Sequence, residues 1–361
     1  MEMALSSATQ SAIILPAFFL PILTFVFYTR FLRSKTSGPL PPPTQITNLF
    51  VYPIKSCHGI SVPSARLLPT GLDLDRQWMW VTYPDYKFLT IRNLSKMTLI
   101  RPSYDATTDT LSITAPAPNT MDEKLYFFIP AHPTSEWLAA NTEIVPATVW
   151  STTTPAHCYS TALTGPFNKF FGKEVRLVYK PPVSDSPRAL VGNGSRKMLG
   201  RDASTCFADL MPLLVGSEKS ITELNKRLKM AEDLNIDVRR FRPNILVQGH
   251  EPWSEDRWKS IRLTPSAGAS GWKFGFDCLK LDVVARCARC HVPNVDPETA
   301  EEHKRQPWDT LMKYRRVDPG ITFKPCFGML CVPRGGGGKV DVGMKLEVTQ
   351  VTDNHRYVVG M

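Results

Sequence analysis

The chain has 361 residues, 43% of them hydrophobic, which is enough to bury the core of one large or two ordinary domains. Its eight cysteines are too few and too scattered for a disulfide scaffold, and they fit a reducing compartment. The formal net charge of +10 favours anionic partners such as phosphate groups, acidic proteins or a membrane surface. We expect no nucleic acid among them.

The first predicted element is an apolar segment at residues 12–28, AIILPAFFLPILTFVFY. Its length suits a membrane span, and its two prolines are tolerated in membrane helices. Three basic residues follow it at once: Arg30, Arg33 and Lys35. In a cleaved secretory signal the basic residues would precede the apolar core. We therefore predict a signal anchor over residues 1–35, with the rest of the chain on the cytosolic side.

A Pro-rich stretch at residues 36–46 predicts a semi-rigid spacer. Residues 47–182 then show mostly β patterns, which we assign to a β-barrel-like N-terminal domain. Alternation and β-branched residues predict a hairpin at 99–115 and strands at 49–55, 77–82, 126–129 and 175–179. The Pro- and Thr-rich residues 130–155 predict an irregular surface elaboration.

We predict a second domain over residues 183–350 and a C-terminal tail over 351–361. Residues 217–230 predict a helix, with a capping box at Ser220 and Glu223 and one apolar stripe of Ile221, Leu224 and Leu228. Further patterns predict a strand at 245–249, a helix at 308–316 and a closing strand pair at 339–348. The predicted fold class is α+β, predominantly β.

Three basic residues stand at the ends of predicted strands: Lys55, Arg76 and Arg92. Any one of them alone is most simply a solvated charge. Together with the small hydroxyl groups of Ser56 and Thr90, they predict a phosphate-binding arrangement, because Arg offers a fork of donors and Lys a point charge.

The sequence CARCH at residues 287–291 follows a strand pattern that begins at Leu281. Nearby cations favour the ionised form of a thiol, so the segment predicts a nucleophile, a redox thiol or a metal ligand. It matches the attachment pattern of c-type haem, and a zinc site would need Cys326 and Cys331 as a second pair. The two cysteines also fit a simpler role as small buried hydrophobic residues.

Seven sequence blocks, taken together, resemble the MOSC-domain family and, within it, the mitochondrial amidoxime-reducing components. They are YPIKSCHG (52–59), DRQWM (75–79), FLTIR (88–92), SEKSITELNKRL (217–228), FRPNILV (241–247), CARCHVPNVDPET (287–299) and FGM (327–329). The resemblance covers residues 47 to 350. It implies an N-terminal β domain followed by the MOSC domain.

The resemblance implies a molybdenum cofactor, with Cys290 as the protein's ligand to the metal. The residues that it implies for holding the pterin and phosphate come from both halves of the chain: Lys55, Ser56, Arg76, Arg92, Asp209, Arg242, Asn244, Ala288 and Arg289. Soft sulfur ligands suit a metal that cycles between oxidation states.

Three residues near Cys290 call for separate predictions. We predict Asp296 as a proton relay or an orienting group, with capping of the next helix as its simpler role. His291 replaces the aliphatic residue of many relatives, and we interpret it as a solvent-facing bystander rather than a proton donor. Leu330 stands where relatives often have a polar or aromatic residue, so a side-chain hydrogen bond is lost at this position.

The resemblance implies reduction of N-hydroxylated substrates, namely amidoximes, hydroxamic acids and N-hydroxyguanidines, at the outer mitochondrial membrane facing the cytosol. No flavin or nicotinamide motif appears, so electrons are expected from other proteins. The resemblance implies that these are cytochrome b5 and its NADH-dependent reductase. One alternative is a cofactor-carrying or sulfur-delivery MOSC module, as in molybdenum cofactor sulfurase. We expect that role to need a pyridoxal phosphate-dependent desulfurase, for which this sequence has no room.

Overall fold

The computed structural model describes residues 38–118, 123–265 and 279–360, together with Pro21 and Thr24. The anchor predicted over residues 1–35 therefore lies, apart from these two positions, outside the described residues. No helix among the described residues is both long enough and apolar enough to cross a membrane. The anchor and its orientation stay predictions.

The described residues form twenty strands, β1 to β20 in chain order: Thr44–Val51, Ile60–Val62, Ser64–Leu68, Gly71–Leu72, Trp78–Thr82, Arg101–Asp105, Thr110–Pro116, Lys124–Pro130, Thr142–Val149, Thr152–Tyr159, Val175–Tyr179, Arg188–Ala189, Ser204–Thr205, Leu213–Ser217, Ile245–Val247, Trp258–Thr264, Leu279–Ala288, Cys326–Pro333, Gly338–Asp341 and Lys345–Val351. Six α-helices, α1 to α6, occupy Ser135–Asn141, Thr161–Thr164, Phe167–Phe171, Arg196–Leu199, Glu218–Glu232 and Trp308–Tyr314. The fold is thus predominantly β with few helices, as the sequence predicts.

A closed barrel of seven strands forms the centre of the molecule. Its strands are hydrogen-bonded in the order β15-β14-β18-β17-β16-β20-β1, and pairing of β1 with β15 closes the ring. Alternate residues of β17 are buried, among them Leu281, Val283 and Ala285, as the period of two in the sequence predicts. Strand β1 lies far in sequence from its barrel neighbours, so the barrel joins the two ends of the described chain.

Strand β2 pairs with β1, and β3 pairs with β4 and β19. The other strands of the first half form two further sheets. One has four strands in the order β5-β11-β10-β9, and the other has three in the order β6-β7-β8. The predicted hairpin at 99–115 is confirmed by the pairing of β6 with β7. The loop after β1 and the loop before β5 bring the four-stranded sheet against the barrel, since Ile54 bridges to Trp78.

Three expectations about secondary structure are wrong. Residues 130–155 are not irregular, because they contain α1, β9 and the first residues of β10, and β9 and β10 pair over their full length. The last strands do not pair with each other: β19 pairs with β3, while β20 pairs with β16 and β1. The predicted spacer ends early, since β1 already begins at Thr44.

Helix α5 has the predicted apolar stripe but not the predicted cap. Ile221, Leu224 and Leu228 are buried. Ser217 occupies the N-cap position, whereas Ser220 lies inside the helix, where its hydroxyl donates to Glu255 Oε1 at 2.6 Å and accepts from the Trp253 amide at 2.8 Å. Tertiary hydrogen bonds therefore explain Ser220, and the capping-box interpretation is wrong.

His132 joins three segments of the first half through two carboxylates. Its Nδ1 lies 2.6 Å from Asp109 Oδ1, and its Nε2 lies 3.0 Å from Asp73 Oδ2. The hydrogen bond to Asp73, opposed by burial and reinforced by Asp109, raises the pKa of His132 to about 9. The imidazolium form therefore holds the two acidic turns together at neutral pH.

We expect the free energy of unfolding to fall as the pH rises from about 6.5 to about 9, because the raised folded-state pKa means that protonation stabilises the folded protein. His132 is partly exposed, so solvent screening limits the effect to about 1 kcal/mol. His132→Asn should remove this contribution. Urea unfolding at pH 6 and pH 9.5 measures it, and an equal pH dependence in both proteins would contradict the assignment.

Candidate active site

A cleft of about 1060 Å³ opens where loops of the four-stranded sheet face the barrel. The elements that build it are the segments after β1, before β5, before β14, before β15 and after β17. Ten of the eleven site residues predicted from the sequence line this cleft: Lys55, Ser56, Arg76, Arg92, Asp209, Arg242, Asn244, Ala288, Arg289 and Cys290. The structure thus brings together residues that are far apart in the sequence.

Three of the lining residues have left-handed backbone conformations that side-chain-bearing residues rarely adopt. The φ angles are +68° at Ser56, +51° at Arg76 and +58° at Arg242. Such conformations persist only where the surrounding structure holds them, and they cluster at functional sites. Here they turn the chain sharply at the points where it meets the cleft.

The guanidinium groups of Arg76 and Arg242 flank one aromatic ring. Their carbon atoms lie 4.8 Å and 4.2 Å from the centre of the Tyr52 ring. Arg76 donates to Asp75 Oδ2 at 2.5 Å, to Asn244 Oδ1 at 3.1 Å and to the Arg242 carbonyl at 3.1 Å. Arg76 is therefore fixed in place by its partners before any ligand arrives.

Asn244 is fully buried and organises this corner of the cleft. Its amide donates to the Phe50 carbonyl at 3.2 Å, and its Oδ1 accepts from the Leu214 amide at 3.1 Å as well as from Arg76. These bonds connect the starts of β14 and β15 with β1. Asn244 is thus placed to position Arg76 rather than to reach across the cleft itself.

A second charged group lies on the opposite wall. Lys55 donates to the Phe207 carbonyl at 2.8 Å and forms a short ion pair with Asp209. Burial lowers the pKa of Lys55 to about 8, although Asp209 opposes the shift. Asp209 also accepts from Trp150 Nε1 at 3.1 Å, and Lys55 and Arg92 outweigh its desolvation and hold its pKa well below the ordinary value.

Cys290 differs from the other cysteines of the described chain, because it is partly exposed while the other six are buried. Its Sγ accepts a hydrogen bond from Arg92 Nε at 3.3 Å. A partly exposed sulfur can reach a metal, whereas a buried one cannot. Cys290 therefore has the position that a ligand cysteine needs.

Cys287 is buried at the end of β17 and borders the same cleft. Arg289 donates to its Sγ at 3.0 Å and to the Phe241 carbonyl at 2.9 Å. The buried side chain of Arg289 thus braces the loop that carries Cys290. The zinc alternative finds no support in the described part of the chain, which contains no group of three or more His, Cys, Asp or Glu side chains at metal-binding distances.

The cationic lining fits a bound anion. Arg242 donates one bond, from Nη1 to the Cys57 carbonyl at 2.7 Å, while its buried Nη2 has no hydrogen-bond partner among the described residues. Burial and the neighbouring Arg76 lower the pKa of Arg242 to about 10. A buried cation with a free donor is unfavourable unless a ligand supplies an acceptor. A phosphate or a pterin carbonyl would meet this need.

Asp296 does not line the cleft. Its Oδ2 accepts from Arg240 at 2.7 Å, and its Oδ1 accepts from the amides of Glu298 and Thr299 at 2.8 Å and 3.3 Å. The carboxylate therefore caps a turn and anchors it to Arg240. This geometry favours the simpler capping role of Asp296, and its role as a proton relay stays a prediction.

His291 and Leu330, the two residues that differ from the pattern of the resembled family, have well-defined surroundings. His291 is exposed and stacks on Trp308 with ring centroids 4.3 Å apart, which agrees with a residue at the solvent edge. Leu330 is buried and borders the cleft as an apolar wall.

Sequence reasoning missed two polar residues of the cleft, Lys324 and Tyr357. Tyr357 belongs to the segment predicted as a C-terminal tail, but it is buried, and its backbone amide donates to Asp318 Oδ1 at 2.8 Å. Asp318 is fully buried beneath it. No local motif marks Tyr357, because only the tertiary path of the chain after β20 brings it to the cleft.

A second, smaller chamber of about 550 Å³ adjoins Cys290. It shares Arg92 and Cys290 with the main cleft, and its other walls are Ile91, His291, Val292, Val295 and Glu302. The sulfur of Cys290 is thus bordered by a cationic cleft and by a chamber with both apolar and charged walls.

Known proteins resemble the chain over most of its length. It is 28% identical over 298 residues to mitochondrial amidoxime-reducing component 1 of Danio rerio, covering 81% of each chain. It is 27% identical over 296 residues to mitochondrial amidoxime reducing component 2 of Homo sapiens, covering 79% of this chain and 77% of the human one.

The chain is equally similar to part of a longer protein. It is 29% identical over 286 residues to molybdenum cofactor sulfurase of Oryza sativa subsp. japonica, covering 77% of this chain. The match spans about a third of the length of that protein, 32%. The relatives thus carry two different activities in their names.

Two family profiles match the chain in succession. The MOSC N-terminal beta barrel domain matches residues 44–174, and the MOSC domain matches residues 202–347. The strands that position Lys55 and Arg76 fall in the first, and those that position Arg242 and Cys290 fall in the second. The chain therefore belongs to the MOSC-domain family, with its candidate site built from both domains.

Proposed function

We propose that this chain is a molybdenum cofactor-dependent reductase of N-hydroxylated compounds. The observation that carries the proposal is that Cys290 lines both the cationic cleft and a second chamber beside it. A carrier needs only the cleft, whereas an enzyme also needs room for a substrate beside the reactive centre. The names of the amidoxime-reducing relatives support the same reaction class.

The cofactor's residues are divided between the two walls. Cys290 would hold the metal, while Lys55, Arg76 and Arg242 would hold the phosphate and pterin by charge-assisted bonds. When bound, the metal centre supplies the two-electron chemistry that breaks the substrate's N–O bond. The protein's own part is to fix the sulfur, to neutralise the anionic cofactor and to shape the chamber.

The proposal is tested with purified full-length protein made in cells that synthesise the cofactor. We expect close to one molybdenum per chain and reduction of benzamidoxime to benzamidine by an artificial electron donor. Bound pterin and metal without turnover of benzamidoxime, a hydroxamic acid or an N-hydroxyguanidine would overturn the reductase proposal.

The similarity to molybdenum cofactor sulfurase supports a second candidate, a module that carries the cofactor for sulfur delivery. Such a module would transfer cofactor or sulfur to an acceptor enzyme without reducing substrates. Incubation of the loaded protein with an apo molybdenum enzyme separates the two: gain of acceptor activity supports the carrier, and benzamidoxime turnover supports the reductase.

For the electron source we propose cytochrome b5 and its NADH-dependent reductase. Cytochrome b5 is acidic, and the net charge of +10 on this chain would speed the encounter by electrostatic attraction. We expect the rate of electron transfer to fall about ten-fold between low and physiological salt, since screening shortens the Debye length to about 8 Å. Stopped-flow measurements test this, and a rate indifferent to salt would contradict it.

We further propose attachment to the outer mitochondrial membrane with the catalytic part in the cytosol. The support is the apolar segment at residues 12–28 with its basic flank, and the mitochondrial names of two relatives. Protease treatment of intact mitochondria tests the orientation, because a cytosolic domain is cleaved and an internal one is protected.

A further inference from the structure

The chamber beside Cys290 has one wall that suits a flat organic group. Ile91, Val292 and Val295 supply apolar side chains, and His291 adds an aromatic ring held in place by stacking on Trp308. These side chains can bury the body of a substrate, but they provide no charge recognition. The acidic residue that borders them differs in character.

Glu302 is the acidic residue of the chamber. Its carboxylate forms no ion pair or hydrogen bond with any residue that the structure describes, although many other carboxylates of the chain are paired. Its backbone is bridged to that of Val295, and the Asp296 amide donates to the Glu301 carbonyl at 2.8 Å, so the turn is well braced. An exposed, unpaired carboxylate on a braced turn beside apolar side chains is a ready site for a planar cation.

Arg92 also reaches the chamber, and its charge opposes a cationic guest. Its groups are already engaged, however: Nε donates to Cys290 Sγ, Nη2 lies 3.6 Å from Asp209 Oδ2, and its guanidinium lies over the Trp150 ring at 4.6 Å. Its guanidinium is therefore committed to Cys290, Asp209 and Trp150. Glu302 remains the unpaired charge on the chamber side.

We infer that this chamber is the substrate site and that Glu302 selects substrates with a cationic guanidinium-like head, favouring N-hydroxyguanidines over neutral hydroxamic acids. The inference rests on the proposed function and narrows its substrate class. The carboxylate accepts two parallel N–H bonds from the head group, and the apolar wall packs against the rest. The N–O bond then faces the Cys290 sulfur, which would hold the metal.

A binding experiment tests the site without any turnover. Phenylguanidine is a cation and phenylurea is its neutral counterpart of the same shape, so their affinities for the cofactor-loaded full chain isolate the charge effect. We expect phenylguanidine to bind at least about five-fold more tightly, as for a well-placed but solvent-accessible ion pair. Glu302→Gln should remove the difference, and Glu301→Gln should keep it, because Glu301 does not line the chamber.

Equal affinities for the two ligands in the wild-type protein, or an unchanged preference in Glu302→Gln, would overturn the inference. A turnover experiment then links the site to the reaction. In Glu302→Gln we expect KM for an N-hydroxyguanidine to rise about five-fold with kcat retained, and the values for a hydroxamic acid to stay unchanged. An equal change for both substrates would also count against it.

The two proposals fail in different ways. If the wild-type protein reduces neither substrate, the proposed function is wrong, while the affinities for phenylguanidine and phenylurea still decide the role of Glu302. If both substrates are reduced and the affinities are equal, the function stands and the inference about Glu302 falls.

Discussion

Cys290→Ser is expected to abolish N-hydroxylate reduction, with a loss of at least about 100-fold, because even residues that only support a metal ligand cost 10–100-fold when removed. A serine hydroxyl stays protonated at neutral pH and is a poor ligand for a soft metal centre. The fold should be retained, since Cys290 is partly exposed and its side chain accepts one hydrogen bond from the described residues, donated by Arg92. Circular dichroism measures whether the fold is retained, metal analysis measures the bound molybdenum, and turnover measures N-hydroxylate reduction.

Cys287→Ser is the matched control, since it removes the other sulfur of the same short segment. The serine hydroxyl still accepts the bond that Arg289 donates, so we expect a stability cost of about 1 kcal/mol or less and nearly full activity. If Cys287→Ser abolishes turnover while Cys290→Ser retains it, the assignment of the ligand is reversed.

Several site residues were predictable because their chemistry is unusual for their place in the sequence. A basic residue at the end of an apolar strand, as at Lys55, Arg76 and Arg92, stands out against a pattern that otherwise alternates. The cleft contains all three. In the structure the three residues lie in turns, and Arg92 has no strand beside it, so the basic residues are a useful signal although the predicted strand ends do not all form.

Other parts of the site carry no such signal. Tyr357 reaches the cleft only because the chain after β20 folds back on Asp318, and Glu302 faces the chamber only because its turn is bridged to Val295. Asp296 was predicted as a proton relay because it lies near Cys290 in sequence, yet its carboxylate accepts a hydrogen bond from Arg240. Nearness in sequence is a poor guide where a turn reverses the chain within a few residues.

The errors in the fold have the same origin. The prolines of residues 130–155 suggested a loop, but threonine favours strands, and β10 pairs with β9 and β11 in a sheet that accommodates Pro146 and Pro155. Closure of the barrel depends on β1 meeting β15 and β20, which are far away in the chain. Such pairings are set by the whole fold rather than by any short pattern.

Arg242→Met is expected to lower cofactor affinity about 10- to 100-fold while leaving the stability of the cofactor-free protein within about 1 kcal/mol of wild type. The mutation removes a charged donor from the cleft, and with it a bond of the strength typical for a charged group. It also removes a buried cation that lies beside Arg76 and has a free Nη2, which offsets the lost bond to the Cys57 carbonyl. Arg242→Met should therefore lower the affinity for the cofactor without lowering the stability of the cofactor-free protein.

Arg240→Met provides the contrast, because Arg240 is buried two residues earlier but does not line the cleft. It donates to the Asn294 carbonyl at 3.0 Å and to Asp296 at 2.7 Å, so its loss should cost about 1–3 kcal/mol of stability. The folded fraction should still bind the cofactor nearly as well as wild type. Molybdenum per folded chain and urea unfolding of the cofactor-free proteins distinguish the two variants. If both lose the cofactor equally, Arg242 acts only through the fold, and its proposed contact with the cofactor is wrong.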